Sequence, residues 1–410
     1  MAGRLKELRP ELSALHLFGA RLRTLREATG LSQTELGRRV SYSGHLIGKI
    51  ELGLRRPAAE LVRALDRELR TDGSLSQLAL ELDREDAEAQ LDATDVPDLL
   101  TALRRCLDLR DDPDDGLIRD VSDLELDVAE IVRKRLASDY RGLACTLPLL
   151  LPELHRANVV MPGPVISALL FQVYRAADAI ADKSGQHDLS ARLIDLLRAS
   201  AAGSDEPLTM AAAEYVRGEL FFVNRDFLRG EKLLDQAAAR IEGVARNSPA
   251  AGAQVGSLHM RAAVLAARGG DRAAAEGHLQ VAARWADRVR DGVYRGTAFG
   301  ISSVRIHQVS LALDVDDLVT ALELSGNWVP PSEVPAERRS HFFLDRAVAC
   351  QRAGRHDEAV AALTQARRIA PQHMRPHPQV KAVLAGLVAE ARRPSDRLTN
   401  LCRWAGRNLS

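Results

Sequence analysis

Side chains versatile enough for catalysis or metal binding occur in this chain, but they are not spaced for either. Cys106, Cys145, Cys350 and Cys402 are scattered with no C-x-x-C between them, and the 11 histidines form no H-E-x-x-H pattern. Zinc sites usually draw on such closely spaced pairs, so no metal is expected. A disulfide framework is not expected either, and the cysteine usage suits a reducing cytoplasm. Glycine loops of the form G-x-G-x-x-G or G-x-x-x-x-G-K-[ST], which cradle phosphates, are missing, as is a G-x-S-x-G nucleophile turn. Asp316 and Asp317 are adjacent carboxylates on a turn with no base beside them. The chain is therefore expected not to be an enzyme and to carry no cofactor.

What positions the remaining polar residues is a helical scaffold. The 410 residues suffice for two to four domains. With 46% hydrophobic and 27% charged residues the composition is that of a folded chain. No apolar run is seen that approaches the roughly 20 residues needed to cross a bilayer. The opening MAGRLKELRPELSALHLFG lacks the apolar core and cleavage site of a secretory leader. Ala, Leu, Arg and Glu, all strong helix formers, dominate, and aromatics are only 4%. No Asn-Gly or Asp-Gly turn joins two alternating β-branched runs. Breaks fall at Gly53–Pro57, Pro113–Gly116, Met161–Pro164, Gly269-Gly270 and Trp328–Pro335. The expected fold class is all-α.

Charge divides this scaffold. Lys+Arg and Asp+Glu both number 56, so no global field attracts a polyanion and any nucleic-acid binding must rest on a local patch. Phe18 to Arg70 holds 11 basic and 6 acidic residues, whereas Thr71 to Glu130 holds 5 basic and 19 acidic. The acidic stretch reads as solvated helix faces plus a loop at Asp111–Gly116, the alternative being an autoinhibitory DNA mimic.

The basic segment has a dense helix grammar. Phe18, Leu22 and Leu25 lie at i, i+4 and i+7 of a first helix that ends at Gly30. Ser32 and Glu35 are spaced as a capping box, and Leu36 and Val40 bury the helix that follows. Ser43 can cap a third helix whose Ile47 and Ile50 point inward. Gly53 suits the left-handed residue ending it, and Pro57 the first turn of the next. Leu61, Leu65 and Leu69 continue as one stripe. Two short helices joined only by Ser41-Tyr42 must cross steeply, which presents the second on the surface.

Leu31, Gln33, Leu36, Ser43, Ile47, Ile50, Glu51, Gly53 and the following Arg-Arg-Pro resemble the lambda-repressor-like, or XRE, family of helix-turn-helix DNA-binding domains. The resemblance implies that the helix opening at Ser43 enters the major groove with Gly44, His45, Gly48 and Lys49 facing base edges. Because two of these are glycines, His45 and Lys49 are left as the direct readers, both able to donate to guanine. Gln33 and Thr34 would sit against a phosphate at a helix N-terminus, with Arg38, Arg55 and Arg56 adding phosphate contacts. In this family Arg26 and Glu51 commonly pair, a structural role.

Repeats follow the acidic stretch. In Phe343–Pro371, Ala347, Ala359 and Ala366 supply small residues at the spacings that let two antiparallel helices approach closely, which resembles a tetratricopeptide repeat. Gly218, Phe221, Gly230, Leu234 and Ala237 form a second such unit, and Ala263, Ala266, Ala275, Leu279 and Ala282 a third. Val309, Ala312 and Ala321 give a weaker one, and a further hairpin is placed around Gly185. Gly218, Ala263, Val309 and Ala347 stand 45, 46 and 38 residues apart, so the array is degenerate. The alternative is a plain bundle of helical hairpins. On the inner face of such an array Tyr215, Phe222, Asn224, Arg261, Arg305, His307 and Arg346 are candidate effector contacts. Trp285 and Trp328 are expected to be packing anchors.

The expected organisation is a helix-turn-helix head at 15–82, an acidic linker at 83–120 and a tetratricopeptide-like α-solenoid at 121–410. Such a fusion resembles the RRNPP-type sensors and helix-turn-helix regulators of GC-rich bacteria. It implies a cytoplasmic transcriptional regulator that binds a double-stranded DNA operator as a homodimer and senses a peptide, small molecule or protein, with no membrane partner. A protein-interaction adaptor with weak DNA affinity is the alternative.

Overall fold

The computed structural model describes residues 14–71, 73–76, 78–79, 96–391 and 395–406. They are almost entirely helical and separate into two compact units, 1–95 with 390–410 and 96–389.

In the first unit α1 spans Ala14–Ala28, α2 Gln33–Arg39, α3 Gly44–Glu51 and α4 Ala59–Leu69. Each boundary has a local cause. Gly30 closes α1 at φ +72°. The Ser32 hydroxyl accepts from the Glu35 N–H at 3.1 Å while the Glu35 carboxylate accepts from the Ser32 N–H at 3.2 Å, so the capping box forms. Ser43 caps α3 by accepting from the Leu46 N–H at 3.2 Å; such a cap stabilises by about 1 kcal/mol. Gly53 ends α3 at φ +66°. Pro57 lies before α4 rather than in its first turn, because the cap falls at Ala58. Phe18, Leu22, Leu36, Ile47, Ile50 and Leu65 are fully buried together, each contributing roughly 1.5–3 kcal/mol. The chain's last described helix, Asp396–Trp404, groups with this unit, not with the repeats.

The second unit begins with α5 (Val96–Asp108), α6 (Val121–Leu136) and α7 (Tyr140–Val160). Helical hairpins follow: α8 (Pro164–Lys183) with α9 (His187–Gly203), α10 (Pro207–Val223) with α11 (Phe227–Ala245), and α12 (Pro249–Arg268) with α13 (Arg272–Ala286). Then come α14 (Ile301–Asp314) with α15 (Leu318–Ser325), α16 (Ala336–Arg352) with α17 (His356–Ile369), the short α18 (Pro371–Met374), and α19 (Pro378–Glu390). The expected linker therefore divides: α5 belongs to the repeats, its Leu100, Leu103 and Leu107 buried in their core, while residues 83–95 lie outside the described residues.

The hairpin turns share one chemistry. Gly185, Arg225, Gly270, Asp316 and Gly354 all adopt positive φ, between 56° and 87°. In two of these turns the next residue is a capping aspartate: Asp271 accepts from the Ala274 N–H at 2.9 Å, and Asp317 from the Thr320 N–H at 3.1 Å. Asp316-Asp317 is thus a turn followed by a cap.

The expectation of a purely helical chain needs one correction. Gly292–Tyr294 and Thr297–Phe299 form a two-stranded antiparallel hairpin, β1–β2. Arg295 and Gly296 between them both have positive φ, 47° and 76°, as a tight twisted turn requires. Helix α8 is long and apolar enough by composition to cross a membrane, contrary to the sequence reading, but most of it is buried. Its buried face includes Arg175 and Asp178.

Candidate functional site

On the head, α3 is anchored on one side and exposed on the other. Ile47, Ile50 and Glu51 are buried, whereas Ser43, His45 and Lys49 are exposed, as are Thr34, Arg38, Arg55 and Arg56 nearby. The α2–α3 crossing is close enough to dictate glycine at Gly44, where a Cβ would lie 2.7 Å from the Thr34 Cα; at Gly48 a Cβ would lie 2.9 Å from the Gln33 Oε1, the end of a side chain that can turn aside. Gln33 turns its amide inward, donating to the Glu51 Oε2 at 2.7 Å. Its amide nitrogen is thus engaged with Glu51, while Gln33 as a residue remains exposed beside Thr34.

Glu51 is the hub of this region. Arg26 donates to it through Nε at 2.6 Å and Nη2 at 3.1 Å, and to the Leu31 carbonyl at 2.8 Å. The hydrogen bond to Glu51 raises the Arg26 pKa further. This interaction fixes α1 to α3 and leaves the other face of α3 available.

In the repeats, a cavity of about 410 Å³ is walled by α6, by the first helices of the hairpins (α8, α10, α12, α14 and α16) and by the β-hairpin. Its wall carries charge of both signs, six basic residues beside five acidic ones, and of its arginines Arg175 is buried while Arg135, Arg261 and Arg338 are half-buried. Arg261 pairs with Glu219 at 3.0 Å and lies 3.8 Å over the Tyr215 ring. Arg338 donates to the Tyr215 hydroxyl at 2.5 Å and meets the His307 Nε2 at 2.9 Å. Burial, then the neighbouring Arg338, drives the His307 pKa down to about 3, so the ring is neutral. It donates from Nδ1 to the Ser303 carbonyl at 2.9 Å and accepts from Arg338.

Arg135 and Arg175 differ from the other two in the partners shown for them. Arg175 donates to the Arg295 carbonyl and the Thr297 hydroxyl at 2.5 and 2.6 Å, and Arg135 to the Gly296 carbonyl at 2.8 Å. These partners are neutral, and the Arg135 Nε is buried with none. Burial, reinforced by Arg135, pushes Arg175 down to about 9. Neither guanidinium has a carboxylate among the hydrogen-bond partners shown for it, and such a pair suits a ligand that brings acceptor oxygens or negative charge.

Of the expected effector contacts, Tyr215, Phe222, Arg261 and His307 line this cavity. Asn224, Arg305 and Arg346 do not. Asn224 is the exposed C-cap of α10, Arg305 stacks 4.7 Å over Trp328 while donating to the Leu324 carbonyl, and Arg346 sits beside Cys350. Trp328 packs edge-on against Phe342 at 5.0 Å, as an anchor should. Sequence reasoning missed Arg135, Arg175, Asp178, Lys183, Glu337 and Arg338, whose signal was only polarity on otherwise apolar helices.

Two histidine clusters also assemble among the described residues despite the unpromising spacing. Glu337, His341 and His373 form one, and Asp235, His259 and His278 the other, each with its potential ligand atoms within 4.8 Å of one another.

Residues 17–79 match the family model described as a helix-turn-helix domain. The head is a helix-turn-helix domain. Over most of the chain a solved structure, Bacillus thuringiensis PlcR in complex with the peptide PapR7 and DNA, shows 12% identity. The match covers 87% of this chain and 96% of that one, with a TM-score of 0.32, too loose a likeness to transfer any residue. No curated protein matches the chain.

Proposed function

We propose that the chain is a DNA-binding transcriptional regulator of the XRE type that works as a cytoplasmic homodimer. The observation that carries this reading is α3: its apolar side and Glu51 are locked into the head while His45 and Lys49 project from the other side. In this reading His45 and Lys49 read base edges, with Ser43 and Gly44 at the close end of the helix. Gln33 and Thr34 mark the α2 end that meets a phosphate, and Arg38, Arg55 and Arg56 fix register. One such head makes too few contacts for strong specificity, so two copies engage a pseudo-palindrome.

The effector site is the cavity in the repeats. Arg135, Arg175 and Arg261 supply charge, and Tyr215, Phe222 and His307 supply shape and hydrogen bonds. A peptide or small molecule bearing carboxylate or phosphate suits that wall. It regulates only through unequal affinity for two arrangements of the paired heads.

Selection from a randomised duplex library with the purified chain tests the reading. Two half-sites about one helical turn apart are expected. Failure to select any duplex at low ionic strength overturns the regulator, and a monomer by light scattering both free and on DNA overturns the dimer.

A further inference from the structure

Glu337 and His341 stand at i and i+4 on α16, hence on one helix face. His373 comes from the short helix α18 and brings its Nε2 to 2.9 Å from the Nε2 of His341. Two imidazole nitrogens that close share either a proton or a cation. We propose that Glu337, His341 and His373 form a binding site for a divalent first-row transition ion, of which Zn²⁺ is the probe. The proposal does not depend on whether the head binds DNA.

The distances fit. Ligand atoms about 2.0–2.1 Å from a tetrahedral zinc lie roughly 3.3 Å apart. The observed approach of 2.9 Å and the 4.8 Å envelope of the three groups straddle that value. Two imidazoles and one carboxylate suit zinc and its neighbours better than calcium or magnesium, which take all-oxygen cages.

Charged and hydrogen-bonding neighbours flank the set. The Lys183 ammonium is 3.4 Å from Glu337 but 2.9 Å from Asp182, so it retains a partner when a metal takes Glu337. Tyr140 places its hydroxyl 3.1 Å from the Nδ1 of His373, the outer contact that orients a ligating ring. Glu337 and His341 also line the cavity, where a fourth ligand has room to enter.

The second cluster is the natural control. There the two Nδ1 atoms also approach to 2.9 Å, but Asp235 is exposed and His278 already meets Glu231 at 3.3 Å. Full-length chain stripped by chelator is titrated with Zn²⁺ by calorimetry and, separately, with Co²⁺ read by visible absorption. Saturable binding near one equivalent is expected in the wild type. His341→Ala and His373→Ala should each weaken it at least 10-fold, Tyr140→Phe about 10-fold, and His278→Ala not at all. Glu337→Gln, close in shape to the native residue, covers the case in which an alanine variant does not fold. Absence of saturable binding in the wild type overturns the proposal. So does binding that survives His341→Ala, His373→Ala and Glu337→Gln, or that is lost with His278→Ala alone.

Discussion

The Arg26 guanidinium grips the Glu51 carboxylate at 2.6 and 3.1 Å, joining the first helix of the head to the one that carries the exposed His45 and Lys49. The Glu51 side chain is 1% exposed, so water cannot replace the partner once it is lost. Arg26→Ala should destabilise the head by about 3–5 kcal/mol, because a buried carboxylate is left unpaired. Gln33, which also donates to Glu51, cannot neutralise that charge. Urea unfolding followed on the isolated helix-turn-helix transition measures the loss. A change under 1 kcal/mol would show that the pair does not hold α3.

Lys49 is expected to act on DNA without acting on the fold, since it is exposed at the last turn of α3. Lys49→Ala should weaken duplex binding and reduce the magnitude of the salt slope by about one, with the melting temperature unchanged. His45→Ala should instead relax preference at one base pair, costing about 1–3 kcal/mol on the preferred site and little elsewhere. Fluorescence anisotropy across a salt series, on cognate and mismatched duplexes, separates the two effects.

What could be read in the sequence was what is local. Ser32, Glu35, Ser43 and Gly53 announce the head because caps and left-handed stops act within a few residues. The hairpin turns at Gly185 and Gly270 are legible for the same reason. The cavity is not, because its contacts join distant parts of the chain: Arg175 meets Thr297 across 122 residues. Helical periodicity marks such an arginine only as a polar residue on an apolar face. The β-hairpin escaped notice because its turn pair is Arg295-Gly296, not the Asn-Gly or Asp-Gly that signals such turns. Arg305 and Arg346 lie on the helices that wall the cavity but at angular positions facing Trp328 and Cys350 instead. The metal cluster was hidden likewise, its third member coming 32 residues after His341.

The hairpin is held against α12 by a contact only glycine permits. A Cβ on Gly256 would lie 1.9 Å from the ring of Phe299, which is fully buried. Backbone or ring must shift to admit even a methyl group, and overpacking of this kind costs typically about 1–3 kcal/mol. Gly256→Ala should therefore lower the melting temperature of the repeat unit despite its better helix propensity. A melting temperature equal to or above that of the wild type would mean that Phe299 has somewhere else to go.

Asp345 gives a pH dependence with a definite sign. Burial, then Asp314, pushes its carboxyl from 3.8 to about 7. The folded state thus holds this proton more tightly than the unfolded chain. Its contribution is fully present below about pH 4 and is lost as pH rises toward and through 7, at no more than about 1.4 kcal/mol per unit. The buried histidines act oppositely: His307, brought down to about 3, favours the folded state above pH 6.5 and loses that contribution as acid is added. Asp345→Asn removes the first trend alone. The variant should gain stability over the wild type between pH 5 and 8 and keep the acid limb. Denaturant midpoints across that range decide it, and parallel curves for the two proteins would place the Asp345 carboxyl back in the ordinary range.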